Sequence, residues 1–461
     1  MRVTPPGGVA IITACLKRAG YHNIELFDAT WYPVDKQEVF TQPDRDVERA
    51  KRQMFPEYKW ERDDLDPSFF MLEDTDMYTS FRKKVIDFKP DVIISSIVED
   101  TYYIWNKFMD QVTDRKFINV VGGVFVTYYP QAFEGKCDYI CRGEGDEAIP
   151  ELMNMIEQGK DGHHLQNFYP NPMRPALNVN TLPPTDHEIF DKRSLYRPFQ
   201  GKIIKIATVE TQRGCPFKCK FCNSPSNAGL YKEETDTFFF RKRNVQHQEE
   251  EIKHLIDTVQ VEFLWIVTDT FLTMSKKGFD EWAEMYSKYK IPFFTQTRPE
   301  LLTPYQARTL KELGCVKMNM GVEHGDPEFR RKVVGRIYEN QKAIDAFAIA
   351  REAGLSTTCN FIIGYPYETM DNCMKSVELA AQLGCNDTNA FIYTPYHGTP
   401  MRDMCVDAGF VDKDLIVEMK SDDQLSYLDM PPPYMSKKDI QYMFNNFVRL
   451  FREREHAIMS A

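Results

Sequence analysis

Between residues 205 and 396, six short apolar runs alternate with stretches of helical periodicity, and this alternation restricts the fold more than any other feature. The runs are KIATVETQ (205–212), EFLWIVTD (262–269), FFTQTR (293–298), VKMNMGVE (316–323), TTCNFIIGYP (357–366) and DTNAFIYTPY (387–396). Each has the length and the branched and aromatic content of a strand, and the segments between them place apolar residues on one helical face. Successive parallel strands need a crossover connection, which a helix supplies. Eight such units close a full barrel. Six predict a partial (β/α)6 barrel of the TIM type over residues 201–400. A mostly helical extension over 401–461 follows, carrying the pattern SKKDIQYMFNNFVRLFRERE.

A second α/β region precedes the barrel, over residues 1–156. Strands are expected at NIELFDA (23–29), DVIISSIV (91–98), KFINVVGG (116–123) and CDYICRGEG (137–145), with helices between and after them. The reading is a doubly wound, Rossmann- or flavodoxin-like domain, with glycines at the strand ends where open α/β sheets bind ligands. One strand is missing. The helix GGVAIITACL starts almost at Met1, yet strand 1 of a flavodoxin-like sheet is central. Its absence predicts unpaired edges beside strands 2 and 3, so either the natural chain is longer or the strand comes from elsewhere. Residues 31–80 form a long charged and aromatic insertion that covers a site, forms a contact or is a solvated flap. Proline-rich residues 157–200 read as a linker.

The formal charge of −11 argues against a general nucleic-acid binder. No apolar run reaches the roughly 20 residues of a membrane span. Eleven cysteines without a secretory leader point to a reducing cytoplasm and free or metal-bound thiols.

Three of those cysteines fall together in QRGCPFKCKFCNSP (212–225), spaced C-x3-C-x2-C after the first barrel strand. Structural zinc normally takes four ligands, and no second pair follows. Unligated core thiols are a second reading, though the loop is polar and lysine-rich. The third is an iron–sulfur cluster with one iron left open. RGCPFKCKFC resembles the cluster loop of the radical S-adenosylmethionine (SAM) superfamily. The resemblance implies that Cys215, Cys219 and Cys222 hold a 4Fe-4S cluster whose open iron chelates SAM, and that a flavodoxin or ferredoxin supplies the electron. It also implies SAM contacts at Phe221, at Asp269 in WIVTDTFLT, at Arg298 in QTRPELL, at Glu323 and Arg336 in MGVEHGDPEFRRKVVGR, and at Ile363 and Gly364 in NFIIGYPYET. His324, where a serine is common, and His397, in YTPYHGTPM, depart from the pattern. With Tyr396 they are candidates for substrate binding or proton donation, against the bland reading of structural histidines.

The doubly wound domain, with VVGG and CRGEGDEAIPEL, resembles the cobalamin-binding subfamily of that superfamily. The resemblance covers residues ~1–400. It implies a corrinoid over the strand ends, near Ser96, Glu99, Thr101, Gly122, Gly123, Gly143, Glu144 and Gly145, although turn chemistry alone explains the glycines. No Asp-x-His-x-x-Gly motif supplies a lower cobalt ligand. The implied function is C-methylation of an unactivated carbon through methylcobalamin and a 5′-deoxyadenosyl radical. The alternatives are cyclisation or rearrangement on the same architecture, a radical SAM enzyme that has lost cobalamin, and a non-catalytic Fe–S or zinc protein. The substrate, a small molecule or a peptide, is not legible.

Overall fold

The computed structural model describes residues 5–32, 62, 65, 69, 71–199, 202–418 and 426–460. Most of the 31–80 insertion therefore lies outside the described residues.

The chain opens with helix α1 (Gly7–Arg18), which buries Ala10, Ile11, Ala14 and Cys15 and ends on Lys17 and Arg18, where positive charge suits a helix C-terminus. After an extended segment come α2 (Met77–Phe88), β1 (Val92–Ser96), α3 (Tyr102–Asp110), β2 (Ile118–Gly122), α4 (Val124–Tyr128), β3 (Tyr139–Ile140) and α5 (Ala148–Glu157). The three strands form one parallel sheet in the order β1-β2-β3, with Val92 opposite Ile118 and Val120 opposite Tyr139.

Two expectations fail here. Among the described residues, 23–28 form no strand and pair with none. The run at 137–145 shortens to two residues, since the glycines after Cys141 turn the chain away at once.

The second sheet has seven strands: β4 (Tyr196–Phe199), β5 (Lys202–Glu210), β8 (Phe263–Val267), β9 (Phe293–Thr297), β10 (Cys315–Glu323), β11 (Ser356–Ile363) and β12 (Asp387–Ile392). Its order is β12-β11-β10-β9-β8-β5-β4. Six strands run parallel, as the six apolar runs predict. The seventh, β4, lies antiparallel on β5, inside the segment read as a linker. Its sequence, YRPF, is too short and polar to announce a strand. A small ribbon, β6 (Gln212–Arg213) with β7 (Arg241–Lys242), flanks the cysteine loop.

The helices α6 (Ser224–Thr235), α7 (Val245–Val259), α8 (Lys276–Tyr286), α9 (Pro304–Glu312), α10 (Asn340–Glu352), α11 (Met370–Leu383), α12 (Pro400–Asp407) and α13 (Lys437–Met459) complete the domain. Three of them, α9, α11 and α13, start with reciprocal capping boxes, at Thr303, Thr369 and Ser436. Alternate residues of β10, Met318, Met320 and Val322, are fully buried in one continuous core. Among the described residues no helix is long and apolar enough to cross a membrane.

Candidate active site

The cysteine loop leaves the C-terminal end of the first barrel strand, where barrel folds build their sites. Gly214 makes the turn at φ +84°; a Cβ there would stand 2.9 Å from the Phe239 ring. The loop is then pinned from two sides. Lys220 N–H donates to Val334 O at 3.0 Å, and Met401 N–H donates to Lys220 O at 3.0 Å. Each sulfur has a different neighbour: Thr270 Oγ1 at 3.7 Å from Cys215, Arg298 NH1 at 3.5 Å from Cys219, and the Ser224 N–H at 3.4 Å from Cys222. Among the described residues no three ligating side chains converge on one point, as a lone metal ion needs. Three thiols with separate surroundings and no fourth partner fit a larger inorganic group. Burial pushes all three upward, Cys222 to about 12, so thiolates form only beside strong positive charge such as iron.

Around the loop runs a chain of buried charges. Arg298 lies over the Phe217 ring, 3.7 Å from its centroid, and pairs with Glu300. Arg336 reaches Glu300 at 3.5 Å and donates to Glu323 Oε1 at 2.8 Å. Glu323 carries a left-handed backbone, φ +71°, which is costly outside glycine and concentrates at functional positions. Gly321 makes room for its carboxylate: a Cβ there would sit 2.2 Å from Glu323 Oε1. Burial pushes the Glu323 carboxyl up, against the pull of Arg336. Asp269 accepts from Ser224 Oγ at 2.9 Å, and Phe221 packs on the barrel core facing Tyr365, centroids 6.2 Å apart.

The strand ends also hold polar atoms with no partner. Thr211 Oγ1, Thr268 Oγ1, Thr297 Oγ1, Arg336 Nε and Tyr365 OH are all buried and unsatisfied. Thr211 and Thr268 directly follow β5 and β8, Thr297 ends β9 and Tyr365 lies just past β11, so four of the six parallel strands end on an unmet hydrogen-bonding group, while Arg336 lies farther along the connection after β10. Such groups are rare in native interiors and point to a polar ligand.

Two of the expected SAM contacts and one candidate catalyst are packed into the scaffold. Ile363 is fully buried. Gly364 gives its N–H to Glu368 Oε2 at 2.6 Å, and Ile440 of α13 occupies the space a Cβ would take. His324 is fully buried too; its Nε2 meets Glu368 Oε1 at 3.0 Å and its Nδ1 accepts the Asp326 N–H at 3.0 Å. With both nitrogens used, it positions Glu368 and has no free atom for substrate. Glu368, 44 residues away in sequence, gave no signal of this role.

His397 and Tyr396 lie where the two domains meet. His397 Nδ1 is 2.7 Å from Glu99 Oε1, its N–H donates to Glu99 Oε2 at 2.8 Å, and its ring stacks on Tyr129. Tyr396 OH donates to Asp100 Oδ2 at 2.9 Å. Glu99 also accepts from Val417 N–H, so this buried carboxylate is held by protein partners from both domains.

A cavity of about 2110 Å³ spans the strand ends of the first domain and reaches Glu210, Trp265 and Val267 of the barrel. Ser96, Thr101, Gly122, Gly123, Gly143, Glu144 and Gly145 all line it. Two of the glycines have a reason inside the protein: a Cβ at Gly123 would meet Ile97 O at 2.6 Å, and one at Gly143 the Tyr231 hydroxyl at 2.6 Å. Glu144 is held by Arg213 (2.9 Å) and Arg241 (2.7 Å), while Arg213 also binds Asp146 and Glu210. Arg213 thus ties the first domain to the residue pair just before Cys215. Tyr128 makes a second tie, donating to Asn223 O at 2.9 Å. Neither was singled out from sequence; the position of Arg213 directly ahead of Gly214–Cys215 was the one available signal.

A family model of the radical SAM superfamily matches residues 209–380, and one of the B12 binding domain matches residues 50–153. An uncharacterized methyltransferase of Pyrococcus horikoshii is 26% identical over 342 residues, covering 70% of this chain and 71% of that one. The anaerobic magnesium-protoporphyrin IX monomethyl ester cyclase of Cereibacter sphaeroides is 22% identical, covering 86% of this chain and 60% of its own. The bacteriochlorophyllide d C-8(2)-methyltransferase of Chlorobaculum tepidum is 24% identical, covering 63% of each. In fold, the chain is similar to the radical SAM methyltransferase TsrM of Kitasatospora setae, solved with cobalamin and a 4Fe-4S cluster. That match has TM-score 0.61 and 14% identity, over 98% of this chain and 83% of that one. The chain thus carries a B12-binding domain followed by a radical SAM domain.

Proposed function

We propose that the protein is a cobalamin-dependent radical SAM methyltransferase that methylates an unactivated carbon. Cys215, Cys219 and Cys222 would hold the 4Fe-4S cluster. Asp269, Arg298, Glu323 and Arg336 would face SAM, and the cavity between Gly122–Gly145 and Trp265 would take cobalamin. When bound, these groups supply one-electron cleavage of SAM and a transferable methyl group. The protein's own part is positioning and exclusion of water. Arg298 places a guanidinium beside Cys219, where it offsets thiolate charge. Arg336 holds the Glu323 carboxylate in one orientation. Tyr128 and Arg213 fix the first domain against the cysteine loop, which keeps two reactants in register within one enclosed space.

The observation that carries the reading is a three-cysteine loop after the first barrel strand together with unsatisfied buried groups at the ends of four parallel strands. The cyclase among the relatives favours a second reading, ring closure on the same architecture. Anaerobic reconstitution with iron, sulfide and hydroxocobalamin, then desalting and an absorption spectrum, tests the cofactors. The expected result is an iron–sulfur shoulder lost in a Cys215→Ala, Cys219→Ala, Cys222→Ala variant, with corrinoid bands retained in both. A cluster without retained corrinoid would sink the methyl-transfer reading. Product mass separates the two reactions, since methylation adds one carbon and cyclisation adds none.

A further inference from the structure

We propose that Cys359 and Cys385 are a redox-active dithiol, which closes to a reversible disulfide on exposure to hydrogen peroxide and staples β11 to the turn leading into β12. Their sulfurs lie 3.1 Å apart, and both side chains are buried. Among the described residues no other two cysteine sulfurs make such a contact. Neither residue belongs to the cysteine loop or to the chain of charges around it.

The backbone fixes the pair. Cys359 sits inside β11, opposite Met320 of β10 on one side and Thr388 of β12 on the other. Cys385 stands two residues before β12. Next to it, Asn386 N–H donates to Thr357 O at 3.1 Å, and Asn386 Oδ1 accepts the Thr357 N–H at 2.9 Å. Before it, Gly384 ends α11 in a left-handed turn, φ +59°. The sulfurs therefore meet because the ladder places them. Closure to bonding distance asks for a movement of roughly 1 Å, which small χ1 rotations supply.

The two thiols differ in chemistry. The Cys359 S–H hydrogen bond lowers the Cys385 thiol below its ordinary value despite burial, and Arg452 of α13 adds to this while Glu455 opposes it. Burial and the neighbouring sulfur hold Cys359 well above its ordinary value. Cys385 is thus the attacking thiol, since the thiolate is the nucleophile. It also lies between exposed Gly384 and Asn386, so a local opening of that turn admits a small oxidant. The Cys385 thiolate attacks one peroxide oxygen, the O–O bond breaks, and hydroxide leaves behind a sulfenic acid. The Cys359 sulfur then attacks the Cys385 sulfur, the S–O bond breaks, and the hydroxyl leaves as water with the Cys359 proton. Two thiols lose two electrons, and peroxide gains them as water. The resulting ring encloses the end of β11 and all of α11, and a cross-link of that span restrains the unfolded chain. It lies on the N-terminal side of β12, away from the strand ends that carry the cysteine loop, so it stiffens the barrel without touching the site.

The test treats the reconstituted full chain with stepwise hydrogen peroxide, caps remaining thiols with N-ethylmaleimide, digests without reductant and weighs the peptides. The expected product is a peptide pair joined through Cys359 and Cys385, lighter by two hydrogens. The oxidised chain should melt at least about 3 °C higher than the same sample re-reduced with dithiothreitol. Cys385→Ala should abolish that difference. In Cys359→Ala the reaction should stop at a Cys385 sulfenic acid, trapped as its dimedone adduct. Three results overturn the proposal: no joined peptide once the cysteine-loop thiols have oxidised, a joined peptide without the reversible gain in melting temperature, and dimedone on Cys359 in Cys385→Ala but none on Cys385 in Cys359→Ala.

Discussion

The two sheets are built from the same βα unit, but among the described residues one has seven strands and the other three. In the barrel, each strand from β11 to β5 is hydrogen-bonded on both sides, β4 closes one edge, and α13 lies against β12 at the other. In the first domain three strands stop at β1, whose outer edge faces a cavity. The sequences alone suggest the reverse. NIELFDA is a better strand former than DTNAFI, yet Asp387–Ile392 is a strand because β11 lies beside it, and residues 23–28 are not. A strand is a relation between segments, and its propensity counts only when a partner is present.

This contrast predicts that the barrel is sensitive to single changes where the first domain is tolerant. The largest expected effect is at the cysteine loop. Cys219→Ala should abolish cluster assembly and reduce SAM cleavage by at least about a thousandfold, because the three ligands act as a unit. Glu144→Gln, on the first domain, should leave the iron content unchanged. Equal loss of iron in both variants would show that the first domain, not the barrel, organises the loop.

Next come the ion pairs. Arg336→Met leaves the half-buried Glu323 without its partner and should cost about 1–3 kcal/mol in denaturant unfolding. Arg82→Ala, which removes an exposed pair with Asp114, should leave the denaturation midpoint nearly unchanged. The same ordering holds for apolar side chains. Phe347, fully buried in the barrel core, should cost about 3–5 kcal/mol when cut to alanine. Phe27 lines the cavity and is only partly buried, against Phe81, Phe108 and Tyr32, so its alanine variant should cost about half as much. Equal costs would mean that Phe27 is as closely packed in solution as Phe347.

The smallest effect depends on pH. Burial pushes the Asp326 carboxyl up, but Lys375 at 2.7 Å, Asn372 and the Phe329 N–H outweigh it and hold it at about 2. That lies below the unfolded value of about 3.9, so the stabilisation is present above pH ~4 and is lost as the pH falls toward 2. Asp326→Asn should therefore unfold about 1–2 kcal/mol more easily at pH 6 and no more easily near pH 2. A constant difference across that range would assign the effect to geometry rather than charge.

What the sequence made legible was local. The Val- and Ile-rich runs announced most strands, and the C-x3-C-x2-C spacing announced the loop, because both signals lie within ten residues. What it hid depends on distant partners. His324 became scaffold through Glu368, Glu99 was claimed by His397 and Val417, and β4 formed only because β5 offered an edge. The glycine at 123 reads alike whether a ligand or the Ile97 backbone fills the space beside it.

The contact between Gly364 and Ile440 has a consequence in time as well as in space. A chain leaves the ribosome N-terminus first and folds as its domains emerge. The left-handed turn after β11 is packed by a residue 76 positions later, and Met435 N–H closes on Glu368 O only when α13 begins. Until that helix has been synthesised, the turn after β11 has no cover and the Glu368 hub is incomplete. During that interval the nascent barrel is open on one flank, and an inorganic cluster delivered to the cysteine loop would meet a site still accessible from outside.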